Sequence, residues 1–149
     1  MLEEPKLTIP IKEDFFFDGD VDEKWAIKNY LGKGIEETSK LYYQLNPLSK
    51  AQDFDLVGVG AFNYYIFGAF RYLQDPRSYN EPDVFSALPA ILIGRSSENV
   101  APIAAYVVKF CDWAIENYAK FKVSEDIYGD VRSKWADVKV VFSDIQRNA

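Results

Sequence analysis

Histidine is absent from all 149 residues. That gap removes Ser-His-Asp triads, Cys-His pairs, imidazole zinc sites and the usual proton carrier near neutral pH. Cysteine is almost as scarce: Cys111 stands alone, so no intrachain disulfide forms and no multi-cysteine zinc site can be assembled. The expected compartment is therefore a reducing one, the cytoplasm. The opening MLEEPKLTIP agrees, having neither the basic nor the apolar region of a secretory signal. Basic clusters are also missing: no run of four Lys or Arg occurs, and the formal net charge is −6. Such a field repels phosphate backbones and anionic lipid surfaces. Neither nucleic acid nor a membrane is expected as a partner, and no apolar stretch reaches the ~20 residues of a bilayer span.

What remains is rich in rings and aliphatic groups. Hydrophobic residues make up 48% of the chain, with 11 Phe, 10 Tyr and 3 Trp, which excludes disorder by low hydrophobicity. A chain of this length forms one domain that buries about two thirds of its unfolded surface. No internal repeat, low-complexity tract or linker divides it. The expected organisation is an extended N-terminal arm over residues 1–19 and a single helical domain over 20–149.

The arm carries Pro5 and Pro10 without helical periodicity, so it reads as extended, with one edge strand as the furthest it could go. In DGDVDEKWAIKNYLGKG, Asp20 and Glu23 have the spacing of a capping box, and Gly32 or Gly34 supplies a left-handed stop, giving a helix near 21–31. A second helix follows in IEETSKLYYQLNP, with Ile35, Leu41 and Leu45 near one stripe and Asn46-Pro47 as its end. LSKAQDFDLVGVG is glycine-broken and reads as a helical turn within a connection.

From Ala61 to Gln74, Phe62, Tyr65, Ile66, Ala69, Phe70 and Leu73 recur at helical spacing. Tyr64, Phe67, Gly68 and Arg71 line the other side. A helix apolar on most sides belongs at the centre of a domain. In PDVFSALPAILIGR, Pro82 suits a first helical turn, whereas Pro89 predicts a kink or break, and AILIG alone is compatible with a buried strand. The longest predicted helix begins near Pro102 and carries Ile103, Val107, Phe110 or Cys111, Ala114 and Tyr118 along a wide stripe. After a turn at Gly129, the spacing of Val131, Trp135, Val138, Phe142 and Ile145 favours a helix over the strand that Val138, Val140 and Phe142 would make. The sum is an all-α, irregular bundle of about six helices.

Candidate chemistry is thin. Asp18, Asp20 and Asp22 have the alternation of a calcium loop, but Glu23 stands where glycine is needed and Asn29 where a bidentate glutamate belongs, so helix capping explains them and no metal is expected. Lys33 between Gly32 and Gly34 lacks the spacing of a phosphate loop. Cys111 lies among apolar residues of a helix, where a thiol is a packing group. Asp53 and Asp55 flank Phe54 and offer two carboxylates for a cleft. Arg71 is the conspicuous charge, because a guanidinium on an apolar helix needs a carboxylate or aromatic partner. Asp55 or Asp75 is the expected carboxylate, and Tyr64 lies seven residues earlier on the same face. The candidate ligand-binding set is Asp53, Asp55, Tyr64, Tyr65 and Arg71, with no catalytic residue and no cofactor.

LGKGIEETSKLYY, DFDLVGVGAFNYYIFGAFRYL and NYAKFKVSEDIYGDVRSKW together resemble a group of small, acidic, uncharacterised bacterial helical proteins, over most of the chain after Trp25. The resemblance implies a helical fold and no activity, cofactor or catalytic residue. Proteins of this size and charge also occur among toxin-immunity partners. The expected function is a non-enzymatic protein-binding module, immunity-type partners of basic toxins being one form, with another protein as partner and a homo-oligomer permitted. The alternative is a binder of small anionic ligands, or a histidine-free enzyme, built on a Tyr/Arg/Asp pocket.

Overall fold

The structure, a computed structural model, describes residues 1–15, 30–43 and 57–149. Among these lie six α-helices and no strand: α1 Ile35–Ser39, α2 Val59–Gln74, α3 Pro82–Arg95, α4 Ala101–Glu116, α5 Glu125–Tyr128 and α6 Val131–Asn148. Short 3-10 turns at Lys12–Phe15, Lys40–Tyr43, Pro76–Ser78 and Tyr118–Phe121 punctuate them. The chain is all-α. The helix expected near 21–31 lies largely outside the described residues, as do Asp18, Asp20 and Asp22 and most of the connection before α2.

α2 is the central helix. Phe62, Ile66, Phe67, Ala69, Phe70 and Leu73 are all 0% exposed, so both the predicted stripe and the side opposite it are covered. The first element of the arm, Lys12–Phe15, packs on the start of α2, and α1 packs along it. Phe15 is fully buried against this helix and its carbonyl accepts from Gly58 N at 3.2 Å. Burial of such rings contributes about 1.5–3 kcal/mol each. No helix among the described residues is long and apolar enough to cross a membrane.

On the far side, α4 and α6 form the most extensive helix pair, with α3 packed on α6. Val131, Trp135, Val138 and Phe142 are fully buried, whereas Val140 is 63% exposed. A strand would have placed Val140 on the same face as its neighbours two residues away. The helical period turns it outward instead. Asp130 caps α6 by accepting from Ser133 N at 3.1 Å, and Gly129 takes the positive φ of 76° that the preceding turn requires. The core here is aromatic: Phe85 stacks on Phe121 with centroids 4.1 Å apart, and Trp135 lies 5.5 Å from Phe85 and 5.4 Å from Phe110. The Trp135 indole N–H has no partner among the described residues.

Three expectations about local structure are corrected. α3 runs through Pro89 as one helix, neither broken there nor replaced by a strand at AILIG. Its continuation buries Ile91 and Leu92, which offsets the one backbone hydrogen bond that proline removes. The helix expected over IEETSKLYYQLNP is α-helical only to Ser39 and then tightens into a 3-10 turn. Thr38 and Ser39 hydroxyls donate back to the Gly34 and Glu36 carbonyls, a competition that weakens the α-helical ladder. The described part of the arm contains no edge strand. It is an extended strap bound to helices.

Candidate functional site

A cleft of about 400 Å³ opens at the C-terminal end of α2. Glu36, Ser39, Lys40 and Tyr43 form one wall, Arg71, Tyr72 and Gln74 the floor, and Asp75 to Arg77 with Met1 the opposite rim. The elements that build it follow from local rules. Asp75-Pro76 ends α2 and starts the 3-10 turn Pro76–Ser78, because the Asp75 carboxylate accepts from Arg77 N at 2.9 Å and proline fits the first turn. Tyr42 stacks on Tyr72 at 5.3 Å and Tyr43 meets Tyr72 edge-on at 5.4 Å, which pins the other wall to the floor.

At the rim three side chains form one unit. The Arg77 guanidinium bonds Asp75 through Nε at 3.1 Å and Nη2 at 2.9 Å, and its central carbon lies 3.8 Å above the centre of the Tyr43 ring. The Tyr43 hydroxyl lies within the field of the Asp75 carboxylate. Arg77, through its side chain and then its backbone N–H, holds the Asp75 carboxyl down at about 2. Burial, reinforced by the nearby Asp75 carboxylate, pushes the Tyr43 hydroxyl up. Asp75 is therefore ionised and Tyr43 protonated at neutral pH, and neither exchanges a proton there.

Arg71 does not pair with Asp75, which is committed to Arg77. Its partner is Glu4 of the arm, with Nε to Oε2 at 2.8 Å and Nη2 to Oε1 at 2.6 Å. This fork-to-fork geometry is the strongest form of the pair, and the hydrogen bond to Glu4 raises the Arg71 pKa. Asp55, the other expected partner, and Asp53 lie outside the described residues. Nor is Arg71 enclosed in the core. It stands at the cleft edge with its side chain 31% exposed, against 15% for Glu4.

Tyr64 and Tyr65 are placed elsewhere. The Tyr65 hydroxyl reaches the Tyr30 carbonyl at 2.5 Å and the Lys33 carbonyl at 2.8 Å, closing the turn ahead of α1. Tyr64 accepts from Ile35 N at 3.2 Å, satisfying an amide in the first turn of α1. Both tyrosines tie α1 to α2, and neither lines the cleft. Tyr64 still contributes to the field at Arg71. Among the cleft residues that sequence reasoning missed are Lys40, Tyr43 and Arg77, together with Glu4 behind them. Of these, only Arg77 had a local signal, the Asp-Pro-Arg turn at 75–77.

Cations and anions alternate around the opening: Lys40, Arg71 and Arg77 against Glu36 and Asp75. No group of three or more His, Cys, Asp or Glu that could hold a metal occurs among the described residues. No protein-family model matches the chain, and neither a curated protein nor a solved structure does so.

Proposed function

We propose that the protein is a non-enzymatic interaction module that binds another protein through the rim of this cleft. The observation that carries the reading is the Tyr43–Arg77–Asp75 unit: an aromatic ring 37% exposed, with a guanidinium held 3.8 Å above it by a carboxylate. Tyrosine and arginine dominate binding energy at protein interfaces, and a pair already ordered loses little entropy on docking. The mixed charge of the rim suits a protein surface better than a single anion, because Arg71 and Arg77 are each already occupied by a carboxylate. An immunity-type partner of a basic toxin is one form that the net charge of −6 supports. A cytoplasmic location and a bacterial origin belong to the same proposal.

The test is affinity capture from source-cell lysate with the wild-type chain and with Tyr43→Ala/Arg77→Ala. A stoichiometric partner on the wild type, reduced about tenfold or more on the variant, supports the reading. Equal capture by both chains, with the variant's melting curve unchanged, removes it.

The second reading, a binder of small anionic ligands, is favoured by Lys40, a cation of the cleft without an ion pair among the described residues. Thermal stabilisation by anionic metabolites, lost in Lys40→Ala, is what it requires.

A further inference from the structure

Residues 2–4 lie across a groove between α2 and α4 and divide it. On one side is the 400 Å³ cleft, reaching Met1, Arg71 and Gln74; on the other is a space of about 210 Å³ between Glu3, Glu4, Pro5 and Pro102, Ala105, Tyr106 and Lys109. A third gap of about 130 Å³ separates Pro5 to Thr8 from Gly60, Asn63, Tyr64 and Pro102. The fastenings of the strap are few. Leu2 N donates to Gln74 Oε1 at 2.8 Å, Glu4 bridges to Arg71, and Leu2 and Leu7 rest partly buried on the core. Gln74 is itself held by donating to the Tyr106 hydroxyl at 2.9 Å. The seat is thus a preformed surface of helix side chains, while its occupant has no regular secondary structure before Lys12.

Two properties of the seat describe what fits it. Its cations are Arg71, paired with Glu4, and Lys109, which lines the same gap as Glu3 and Glu4, while Glu36 and Asp75 lie across the wider cleft, in a chain whose overall charge is −6. It also leaves room beside the strap, with open gaps of about 400, 210 and 130 Å³ along its length. We propose that the groove between α2 and α4 is a docking site for an extended acidic segment of a partner protein, and that residues 2–4 are an internal stand-in for it. Glu4 marks the position of the partner's carboxylate on Arg71. Larger side chains flanking that carboxylate fill the gaps beside Tyr106 and Asn63. The arm competes at the high effective concentration of a tethered segment, so the partner binds only when the arm is displaced.

The inference rests on the reading of the chain as an interaction module but turns on Arg71 and Lys109, whereas that reading turns on Tyr43 and Arg77 at the rim of the adjoining cleft. The probe is a fluorescent peptide of sequence MLEEPKLTIPI, with a second peptide carrying Glu4→Gln, titrated against the full chain by anisotropy. In Glu4→Arg the tethered arm is repelled from Arg71, and the acidic peptide binds about tenfold or more tighter than to wild type, with affinity falling as salt rises. The Gln peptide loses that gain. In Glu4→Arg/Arg71→Glu the tethered pair re-forms with reversed sign and the acidic peptide is rejected. A Glu4→Arg chain that keeps its wild-type melting curve yet binds the peptide no better than wild type overturns the proposal. If Glu4→Arg unfolds, Glu4→Gln is put to the same comparison with the same criterion. Concentration-dependent dimers of the wild-type chain in sedimentation, abolished in Glu4→Arg, would instead identify the occupant as a second copy's arm and also overturn it. Loss of peptide binding with capture through Tyr43 and Arg77 intact removes this inference alone.

Discussion

Gly60 and Asp14 occupy adjoining space with no room for another atom between them. A Cβ placed on Gly60 stands 2.7 Å from Asp14 Oδ1 and 2.9 Å from Asp14 Cβ. Asp14 cannot simply swing aside, because its other oxygen accepts from Ile11 N at 2.8 Å and its backbone lies in the turn that buries Phe15. The first turn of α2 and the end of the arm are therefore fitted to each other through the one residue type that lacks a side chain.

Gly60→Ala is expected to destabilise the protein by about 1–2 kcal/mol, the overpacking outweighing the ~1 kcal/mol that alanine gains in a helix. Gly68→Ala on the same helix serves as the contrast. Its Cβ would meet Tyr42 and Ser39 at 3.5–3.7 Å, ordinary contact, so the propensity gain survives and stability rises by up to ~1 kcal/mol. Urea titration of both variants checks the pair, and equal effects of one sign would contradict it.

Tyr65→Phe removes the hydroxyl that serves the Tyr30 and Lys33 carbonyls while keeping the ring in the core. A loss of about 1–2 kcal/mol is expected, concentrated in the turn ahead of α1. Amide exchange should show faster opening at Lys33 and Ile35, with α4 and α6 unchanged. Uniform protection across the chain would argue against the local role.

Asp75 sets part of the acid stability. Its carboxyl titrates at about 2 when folded, below the ordinary 3.8, so its contribution is fully present above that ordinary value and is lost as pH falls through about 2. Asp75→Asn keeps a side chain able to cap Pro76–Ser78 but removes the charge. The melting temperatures of wild type and variant should differ at pH 5 and 7 by the same amount and converge between pH 4 and 2. A gap that widens on acidification would reverse the assigned sign.

Cys111 should be silent in the native state. It is 0% exposed, and burial pushes its thiol up to about 12, with Asp112 adding in the same direction. A thiol reagent at pH 8 is expected to label it only at the rate of unfolding, so labelling and denaturant-induced opening should share one dependence on urea. Rapid stoichiometric labelling without denaturant would refute the assignment.

Legibility from sequence followed the range of the forces involved. α2, α4 and α6 announced themselves because Phe62, Ile66 and Phe70, or Trp135, Val138 and Phe142, repeat a period that only a helix on a core explains. Of the kink or break expected at Pro89, the break does not occur, because the tertiary burial of Ile91 and Leu92 outweighs the local penalty. The helix starting at Ile35 was legible, but its early end at Ser39 was not, since Thr38 and Ser39 act through hydroxyl contacts that periodicity does not register. The cleft was least legible. Arg71 and Glu4 are 67 positions apart, and no local pattern links a glutamate in an extended arm to an arginine on a helix. Tyr64 and Tyr65, chosen for their nearness to Arg71 along the chain, point their hydroxyls to backbone groups of Tyr30, Lys33 and Ile35 instead.

The fully buried indole of Trp135, without a hydrogen-bond partner among the described residues, gives the domain a built-in optical label. An indole buried in an apolar core emits at the short-wavelength end of its range, whereas half-buried Trp113 emits further to the red. The difference spectrum between wild type and Trp135→Phe thus isolates one ring at the junction of α3, α4 and α6, and its colour reports whether those helices are still closed.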